Sequence, residues 1–227
     1  MAFTLENIVP WGRSYDEYAA MFALSREDVQ RRILGCGDGP AAFNAELTRQ
    51  GGRVVSVDPL YAYGVEQIRD RIAVTYPTVM EQARQNRDAY LWDNIPSVEA
   101  LGRLRMTAME SFLADFAAGQ GAGRYVAGAL PSLPFADGSF DLALSSHFLF
   151  LYSTQLSLEF PLQSVREMLR VAREVRIFPL LTLDGQASPH VAPLTAELAA
   201  EGCRVERRRV PYEFQRGGNE MLVLEAG

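Results

Sequence analysis

Strand-like runs alternate with helix-like segments along most of this chain, and this alternation limits the fold more than any other feature. The strand-like runs are rich in aliphatic and β-branched residues, and they lie at 31–36, 51–58, 124–130, 139–146 and 174–183. Helical segments lie at 40–50, 162–173 and 192–202. Strands separated by helices form parallel sheets covered on both faces. The sequence therefore predicts an α/β fold.

The end of the chain has a different pattern. Two further strand-like runs, 203–214 and 219–226, are separated only by the turn sequence QRGG. So short a connection joins antiparallel strands. We therefore expect a closing hairpin that adds an antiparallel edge to the sheet. The arginine run 207–209 within it is explained by a solvated edge strand.

The second and third strands are separated by more residues than one crossover helix needs. Apolar side chains follow a helical period at Val65, Ile68, Ile72, Leu101, Leu104, Ala108, Phe112 and Phe116. We predict a helical insertion over 62–120, which either adds cover to the core or forms a lid or partner surface. A further helix is expected at 11–24, within an N-terminal helical segment 1–30. The whole chain, 1–227, is predicted to be one domain.

Composition excludes several classes of function. A net charge of −6 disfavours nucleic-acid binding, and all 22 basic residues are arginine, which rules out a catalytic lysine. The two cysteines provide neither a metal-ligand spacing nor a disulfide framework, so no metal is expected. The longest uncharged stretch, 142–158, is too polar to span a membrane, and the N-terminus has no apolar signal region. We expect a cytoplasmic monomer or homodimer without a nucleic-acid or membrane partner.

A glycine-rich turn follows the first strand. Gly35, Gly37 and Gly39 alternate, and Pro40 occupies the position where the dinucleotide fingerprint has its third glycine. Asp38 lies at the start of the next helix, where it would repel a pyrophosphate. Its carboxylate suits a ligand with an ammonium or sulfonium charge, or it caps a helix that begins at Pro40. The sequence leaves both interpretations open.

A second acidic residue follows the second strand. Asp58 lies about twenty residues after the glycine turn, where a carboxylate accepts hydrogen bonds from ribose hydroxyls. The alternative is a helix cap, because Asp-Pro is a natural helix start. We favour the ribose role, with Pro59 or Leu60 against the adenine ring.

The ends of the later strands carry further polar residues. Ser145, Ser146 and His147 end the fourth strand, and His190 lies in the loop after the fifth. Strand ends on one rim of a parallel sheet face the same crevice. His147 has a side chain suited to general-base catalysis near neutral pH, although a structural histidine is the commoner case.

Three stretches, "ILGCGDG", "VVSVDPLY" and "LPFADGSFDLALSSHFL", together resemble class I S-adenosylmethionine-dependent methyltransferases. The sequence is also similar to uncharacterised bacterial methyltransferase-like proteins. The resemblance implies a Rossmann-like, three-layer α/β/α fold. Its sheet would have seven mostly parallel strands with the last one antiparallel.

The resemblance also implies S-adenosylmethionine as cofactor and a set of residues that bind it. This set is Gly35, Cys36, Gly37, Asp38, Gly39, Asp58, Pro59, Leu60, Ala129, Leu130 and Ser145. The three glycines would line the methionine part, Asp58 would bind the ribose, and Leu130 would pack near the adenine. Ile33 and Ala129 stand where many family members carry an acid.

The predicted function is methyl transfer to an unknown acceptor, a small molecule. His147 or Tyr152 is the candidate base. Trp11, Arg13, Tyr15 and His190 are candidates for substrate or lid contacts, and Arg13 for a cofactor or substrate carboxylate. The alternative is a non-catalytic S-adenosylmethionine-binding or interaction protein, which the two missing acids and the large insertion motivate.

Overall fold

A seven-stranded sheet forms the centre of the computed structural model, which describes residues 10–227. Its strands are β1 Arg32–Cys36, β2 Arg53–Val57, β3 Tyr125–Val126, β4 Phe140–Ser146, β5 Ala172–Phe178, β6 Arg204–Arg209 and β7 Glu220–Glu225. The strand order is β3-β2-β1-β4-β5-β7-β6. The first five strands are parallel to one another, and β7 is antiparallel to both β5 and β6. The predicted seven-stranded Rossmann-like sheet is thus confirmed.

The closing hairpin does not lie where the turn alone suggested. β7 is inserted between β5 and β6, so the antiparallel strand is internal and β6 forms the edge. The apolar residues of β7 explain this, because four of its six residues are buried, while none of β6 is fully buried. The arginine-rich strand therefore lies at the edge, where its side chains remain solvated.

Six helices accompany the sheet. They are α1 Tyr15–Met21, α2 Phe43–Arg49, α3 Val65–Gln85, α4 Val98–Gly121, α5 Glu159–Val171 and α6 Val191–Ala200. One face of the sheet packs against α5 and α6 through residues such as Val165 and Leu194. The other face packs against α1 and α2 through Tyr18 and Phe43. Burial on both faces gives the three-layer arrangement.

Two boundaries differ from the sequence prediction. α2 begins at Phe43 rather than at Pro40, because the Ala42 amide donates to the Arg13 carbonyl at 2.9 Å and the preceding residues form a turn. β3 has two residues instead of seven. The chain turns away after Val126, and a bridge between Ala129 and Ser132 closes a turn there.

The segment predicted as an insertion contains α3, α4 and a short 3-10 turn, Arg87–Ala89. Its side chains form a small core of their own with the end of β2. This core contains Tyr61, Ile68, Ile72, Met109, Phe112, Leu113, Phe116 and Tyr125. The apolar residues that follow a helical period in the sequence therefore form the face that packs these helices together and against the sheet edge.

In the N-terminal segment, α1 begins with a capping box formed by Ser14 and Glu17. Residues 1–9 of the predicted segment 1–30 lie outside the described residues. Within 10–227 the longest helices are too polar to cross a membrane, and no cluster of three potential metal ligands occurs.

Candidate functional site

A cavity of about 650 Å³ opens at the carboxyl ends of β1, β2 and β4. The strand order reverses between β1 and β4. The strands β2 and β3 follow on one side of β1, whereas β4 and β5 lie on its other side. Ligand crevices of parallel sheets form at this point. The volume lies within the range of small-molecule sites.

The glycine turn forms part of the cavity wall. Gly37 and Gly39 have positive φ angles of 71° and 52°, which residues with a Cβ rarely adopt. Nothing lies within 4 Å of the place where a Cβ on Gly39 would be, so the cavity reaches the backbone here. At Gly35 a Cβ would lie 1.8 Å from the Asp38 carboxylate. Gly35 therefore makes room for a side chain of the protein, whereas Gly39 leaves its backbone open to a ligand.

Asp38 does not cap a helix. Its Oδ1 accepts a hydrogen bond from the Tyr18 hydroxyl at 2.9 Å and its Oδ2 from the Ser56 hydroxyl at 2.6 Å. The side chain lines the cavity and is only 7% exposed. Burial raises the pKa of Asp38 to about 6, although both hydroxyl donors act in the opposite direction. The helix-cap alternative is thus wrong.

A chain of hydrogen bonds holds Ser56 beside Asp38. Asn44 donates to Ser56 at 3.1 Å, and Arg124 donates to the Asn44 carbonyl oxygen at 2.7 Å. Arg124 in turn pairs with Asp115 of α4. The position of the Asp38 carboxylate therefore depends on α2, β2 and α4 together.

Asp58 lines the cavity and also binds the backbone. Its Oδ2 accepts from the Gly39 amide at 2.9 Å and its Oδ1 from the Leu60 amide at 2.8 Å. It therefore does cap the short helical turn Pro59–Ala62, as the alternative interpretation expected. Burial raises the pKa of this carboxyl group. Each oxygen keeps a second lone pair, so the cap and a diol contact are compatible.

The end of β4 presents two residues to the cavity, Ser146 and His147. Ser145 is fully buried and does not line the cavity, because side chains alternate along the strand and Ser145 lies on the face that packs against α5. His147 has a φ of 53°, and its amide donates to the Phe178 carbonyl oxygen.

The His147 ring is held by its neighbour. Nδ1 lies 2.8 Å from the Ser146 hydroxyl, which donates to the sulfur of Met21. Whether Nδ1 or the Ser146 hydroxyl donates depends on the tautomer of the ring. Within residues 10–227 Nε2 has no hydrogen-bond partner. Burial, together with the charges of Arg13 and Arg105, lowers the pKa of His147 well below its ordinary value. The imidazole is therefore neutral at pH 7.

A roof formed by two segments covers the cavity. The α3–α4 connection lies against the β6–β7 loop, where the Tyr90 and Phe214 rings stack at 4.8 Å and Trp92 packs edge-on at 5.4 Å. The Leu91 amide donates to the Phe214 carbonyl at 2.7 Å, and the Arg216 amide donates to the Ala89 carbonyl at 2.9 Å. The insertion thus reaches across the strand ends to the far side of the sheet. It serves both as core cover and as a roof.

A buried ion pair joins this roof to α1. Arg105 of α4 is 1% exposed and pairs with Glu17 at 2.5 Å, and Glu17 also accepts from the Tyr212 hydroxyl at 3.0 Å. Burial alone would raise the pKa of Glu17, but Arg105 holds it at about 2. Arg105 also lines the cavity, so this pair forms part of the site as well as of the packing.

The N-terminal residues before α1 also reach the cavity. Trp11 and Arg13 line it, whereas Tyr15 stacks on Phe43 in the packed layer, with ring centroids 5.7 Å apart. Gly12 lies against the Pro40 carbonyl, which a Cβ would approach to 2.0 Å. This close contact holds the segment next to the glycine turn.

Most of the predicted site residues meet at the cavity. Those that line it are Trp11, Arg13, Gly37, Asp38, Gly39, Asp58, Pro59, Leu60, Ala129, Leu130, His147 and Tyr152. Gly35, Cys36, Tyr15, Ser145 and His190 do not line it. His190 is turned to the Leu156 carbonyl, 2.8 Å from its Nε2, so the two histidines do not share the cavity.

The sequence analysis missed Tyr18, Tyr90, Arg105, Tyr212 and Phe214. Only Arg105 carried a usable signal. It follows Leu101 by four residues and therefore places a charge on the apolar face of α4. The others come from the N-terminal helix, the insertion and the hairpin loop, and only the fold brings them together.

Comparison with known proteins agrees with this geometry. A family model described as "Methyltransferase domain" matches residues 104–175. Over 221 residues the chain is 29% identical to "Uncharacterized protein MJ0045" of Methanocaldococcus jannaschii, with 97% of each chain covered. Among solved structures, the PH0226 protein of Pyrococcus horikoshii OT3 is similar at a TM-score of 0.50 and 11% identity, covering 94% of this chain and 91% of the other.

The domain match confirms the resemblance to methyltransferases, and the likeness to the Pyrococcus structure shows the fold. The matched residues include most of α4, the short strand β3 and all of β4, which His147 directly follows. The acceptor is identified by none of these likenesses.

Proposed function

We propose that this protein methylates a small molecule held under the roof. Its fold and its domain match are those of a class I S-adenosylmethionine-dependent methyltransferase. The observation that carries the proposal is the position of the glycine turn and Asp58 in the wall of one roofed cavity. The cavity is of small-molecule size, and its roof covers part of its opening.

The residues present fit S-adenosylmethionine. The open backbone at Gly39 and the φ angles of the turn provide a cradle that a Cβ would disturb. The Asp38 carboxylate suits an ammonium or sulfonium group, and the free lone pairs of Asp58 suit the ribose diol. Leu60 and Leu130 offer apolar walls for the adenine. Ala129 supplies no acid for the adenine amine, so any polar contact there involves the backbone.

When bound, the cofactor supplies an electrophilic methyl group on a sulfonium centre, and the positive charge is lost as the methyl group leaves. The protein contributes alignment and the exclusion of water. The roof residues Tyr90 and Phe214 close the cavity on the side away from the sheet. Their role in the proposal is to hold an acceptor against the strand ends.

His147 is the better candidate for a base. In the tautomer with its proton on Nδ1, directed at the Ser146 hydroxyl, the lone pair of Nε2 is available to take a proton from an acceptor hydroxyl or amine. Its lowered pKa keeps it neutral at physiological pH. Tyr152 also lines the cavity and is the second candidate.

The test has two steps. Calorimetric titration with S-adenosylhomocysteine and with NAD comes first, and binding of the former alone is expected. Incubation with labelled S-adenosylmethionine and a panel of small acceptors follows, and His147→Gln should lower turnover by about 10²-fold with little change in cofactor affinity. Binding of NAD alone would sink the proposal. Cofactor binding without turnover on any acceptor would support a non-catalytic binding protein instead.

Location and assembly remain proposals from the sequence. We propose a cytoplasmic monomer or homodimer that does not bind nucleic acid. Light scattering after gel filtration measures the oligomeric state, and a mobility shift with random duplex DNA tests nucleic-acid binding. A retarded band at physiological salt would contradict the proposal.

A further inference from the structure

The charges that line the cavity are divided between its two sides. The sheet side carries the carboxylates of Asp38 and Asp58. The guanidinium groups that line it come from outside the sheet: Arg13 precedes α1, Arg71 is on α3 and Arg105 is on α4. Two ligands bound together in the cavity would complement these charges if one placed positive charge next to the sheet and the other placed negative charge under the roof.

Arg13 and Arg105 differ in their partners. Arg105 is neutralised by Glu17 at 2.5 Å. Arg13 has no carboxylate within 4.0 Å among residues 10–227, and its Nε is buried without a hydrogen-bond partner. Among the described residues its one hydrogen bond is long, 3.4 Å from Nη1 to the Trp11 carbonyl. The Nε of Arg105 is also buried without a partner, but that guanidinium already pairs with Glu17. A half-buried guanidinium with an unsatisfied Nε and no counter-charge is a costly feature, and an anion that enters the cavity relieves it.

Arg13 lies between the glycine turn and the buried pair of Arg105 and Glu17. Its carbonyl accepts from the Ala42 amide, next to the glycine turn. After burial, which lowers the pKa of Arg13, the charges that act on it are those of Arg105, Tyr212, Glu17 and Tyr18. Its guanidinium lines the same cavity as His147 and Tyr90, and its charge acts to lower the pKa of both.

Aromatic rings surround this part of the cavity. Trp11, Tyr90, Phe178, Tyr212 and Phe214 line it, and Tyr90 stacks on Phe214. Flat apolar walls favour a planar ligand. We infer that the methyl acceptor is an aromatic carboxylate whose carboxylate group pairs with Arg13 while its ring lies between the roof aromatics and His147. The inference rests on the proposed function, because it assigns the second substrate of that same cavity.

The experiment uses the protein saturated with S-adenosylhomocysteine and two matched probes, 4-hydroxybenzoate and 4-hydroxybenzamide. Titration calorimetry measures the affinity for each. The carboxylate is expected to bind on the order of tenfold more tightly than the neutral amide, because a charge-assisted pair with Arg13 is available only to the former. Equal affinities, or no binding of the carboxylate, would overturn the inference.

Variants assign the contact. Arg13→Gln should remove the preference for the carboxylate and leave the affinity for the amide unchanged within about twofold, because only the charged pair is lost. Arg207→Gln, on the exposed edge strand, is the matched control and should change neither affinity. Arg13→Lys keeps the charge and should retain part of the preference, so a folding defect of Arg13→Gln is recognised by comparison.

A third measurement separates the acceptor from the cofactor, since S-adenosylhomocysteine also has a carboxylate. Its affinity should be the same for the wild type and Arg13→Gln. If that affinity falls while the affinity for 5′-methylthioadenosine, which lacks the amino-acid part, is unchanged, then Arg13 holds the cofactor and the inference is wrong. If S-adenosylhomocysteine does not bind the wild type at all, the proposed function itself fails.

Discussion

At the scale of single residues, the conformation of the glycine turn and the position of the Asp38 carboxylate depend on each other. The Asp38 carboxylate occupies the place where Gly35 would have its Cβ, and it is fixed there by Tyr18 and Ser56. Gly39 alone leaves its backbone open. The Asp38 carboxylate is therefore compatible with a ligand that carries positive charge. Because this carboxylate is buried, keeping it ionised lowers the stability of the fold.

The variant Asp38→Asn allows the stability lost by ionising Asp38 to be measured. The folded-state pKa of about 6 lies above the unfolded value near 3.9, so protonation stabilises the fold. That contribution is complete below the unfolded pKa and is lost as the pH rises through about 6. Relative to the wild type, Asp38→Asn should therefore gain up to about 3 kcal/mol of stability between pH 4 and pH 8.

Urea unfolding of both proteins across that pH range measures the difference. Asp88→Asn, in a fully exposed turn, is the control and should follow the wild type. A constant gap between Asp38→Asn and the wild type at all pH values would mean that Asp38 has no raised pKa.

Asp58 is predicted to contribute to cofactor affinity. Asp58→Ala removes both the diol acceptor and the bond to the Gly39 amide, so S-adenosylhomocysteine should bind at least about tenfold more weakly, as loss of about 1.4 kcal/mol implies. Asp58→Asn keeps one oxygen and should be intermediate. Unchanged affinity in Asp58→Ala by calorimetry would refute the ribose role.

At the scale of elements, the buried pair between α4 and α1 fixes the roof to the rest of the fold. Arg105→Met leaves the Glu17 carboxylate buried without its partner, and such a loss costs about 3–5 kcal/mol. The variant with both Arg105→Met and Glu17→Gln should recover part of that loss, because no buried charge remains.

Chemical denaturation of these variants provides the measurement. Arg166→Met, which breaks exposed pairs with Glu197 and Glu201 on the outer helices, is the control and should cost less than about 1 kcal/mol. Since the folded pKa of Glu17 is about 2, below its unfolded value, the contribution of the pair is present above about pH 4.3 and is lost as the pH falls toward 2. Equal costs for the buried and the exposed pair would contradict the assignment.

At the scale of the whole molecule, the insertion and the hairpin loop close one cavity from opposite edges of the sheet. Their contact depends on the stacking of Tyr90 on Phe214 and on two backbone hydrogen bonds. Phe214→Ala removes the stack but not the backbone groups. We expect amide exchange at Leu91 and Arg216 to become about tenfold faster, while exchange in β4 is unchanged.

Hydrogen exchange followed by mass spectrometry checks this prediction. Val74→Ala, an exposed position on α3, serves as the control and should leave the exchange of the roof unchanged. If Phe214→Ala speeds exchange equally in the core strands, the variant has lowered global stability and the roof is not a separate unit.

Several parts of the site followed from the sequence because they depend on local chemistry. Glycine spacing predicted the open turn, and the position of Asp58 after the second strand predicted an acid at the crevice. The Asp-Pro step offered the cap as the alternative, and the structure shows that cap as well. The role of Asp38 did not follow, because its partners are Tyr18 and Ser56, which lie 20 and 18 residues away. His190 shows the same limit, since a loop position does not determine where its ring is turned.

The sequence by itself determined the strand and helix alternation, the parallel sheet and the position of the crevice, because periodicity and turn chemistry act within a few residues. Only the tertiary structure decided that β7 enters the sheet between β5 and β6. It also decided that the insertion reaches the hairpin loop and that Arg13 lines the cavity without a carboxylate partner among residues 10–227. These features arise from contacts between segments far apart in the chain, and burial and charge pairing at such contacts are properties of the folded molecule.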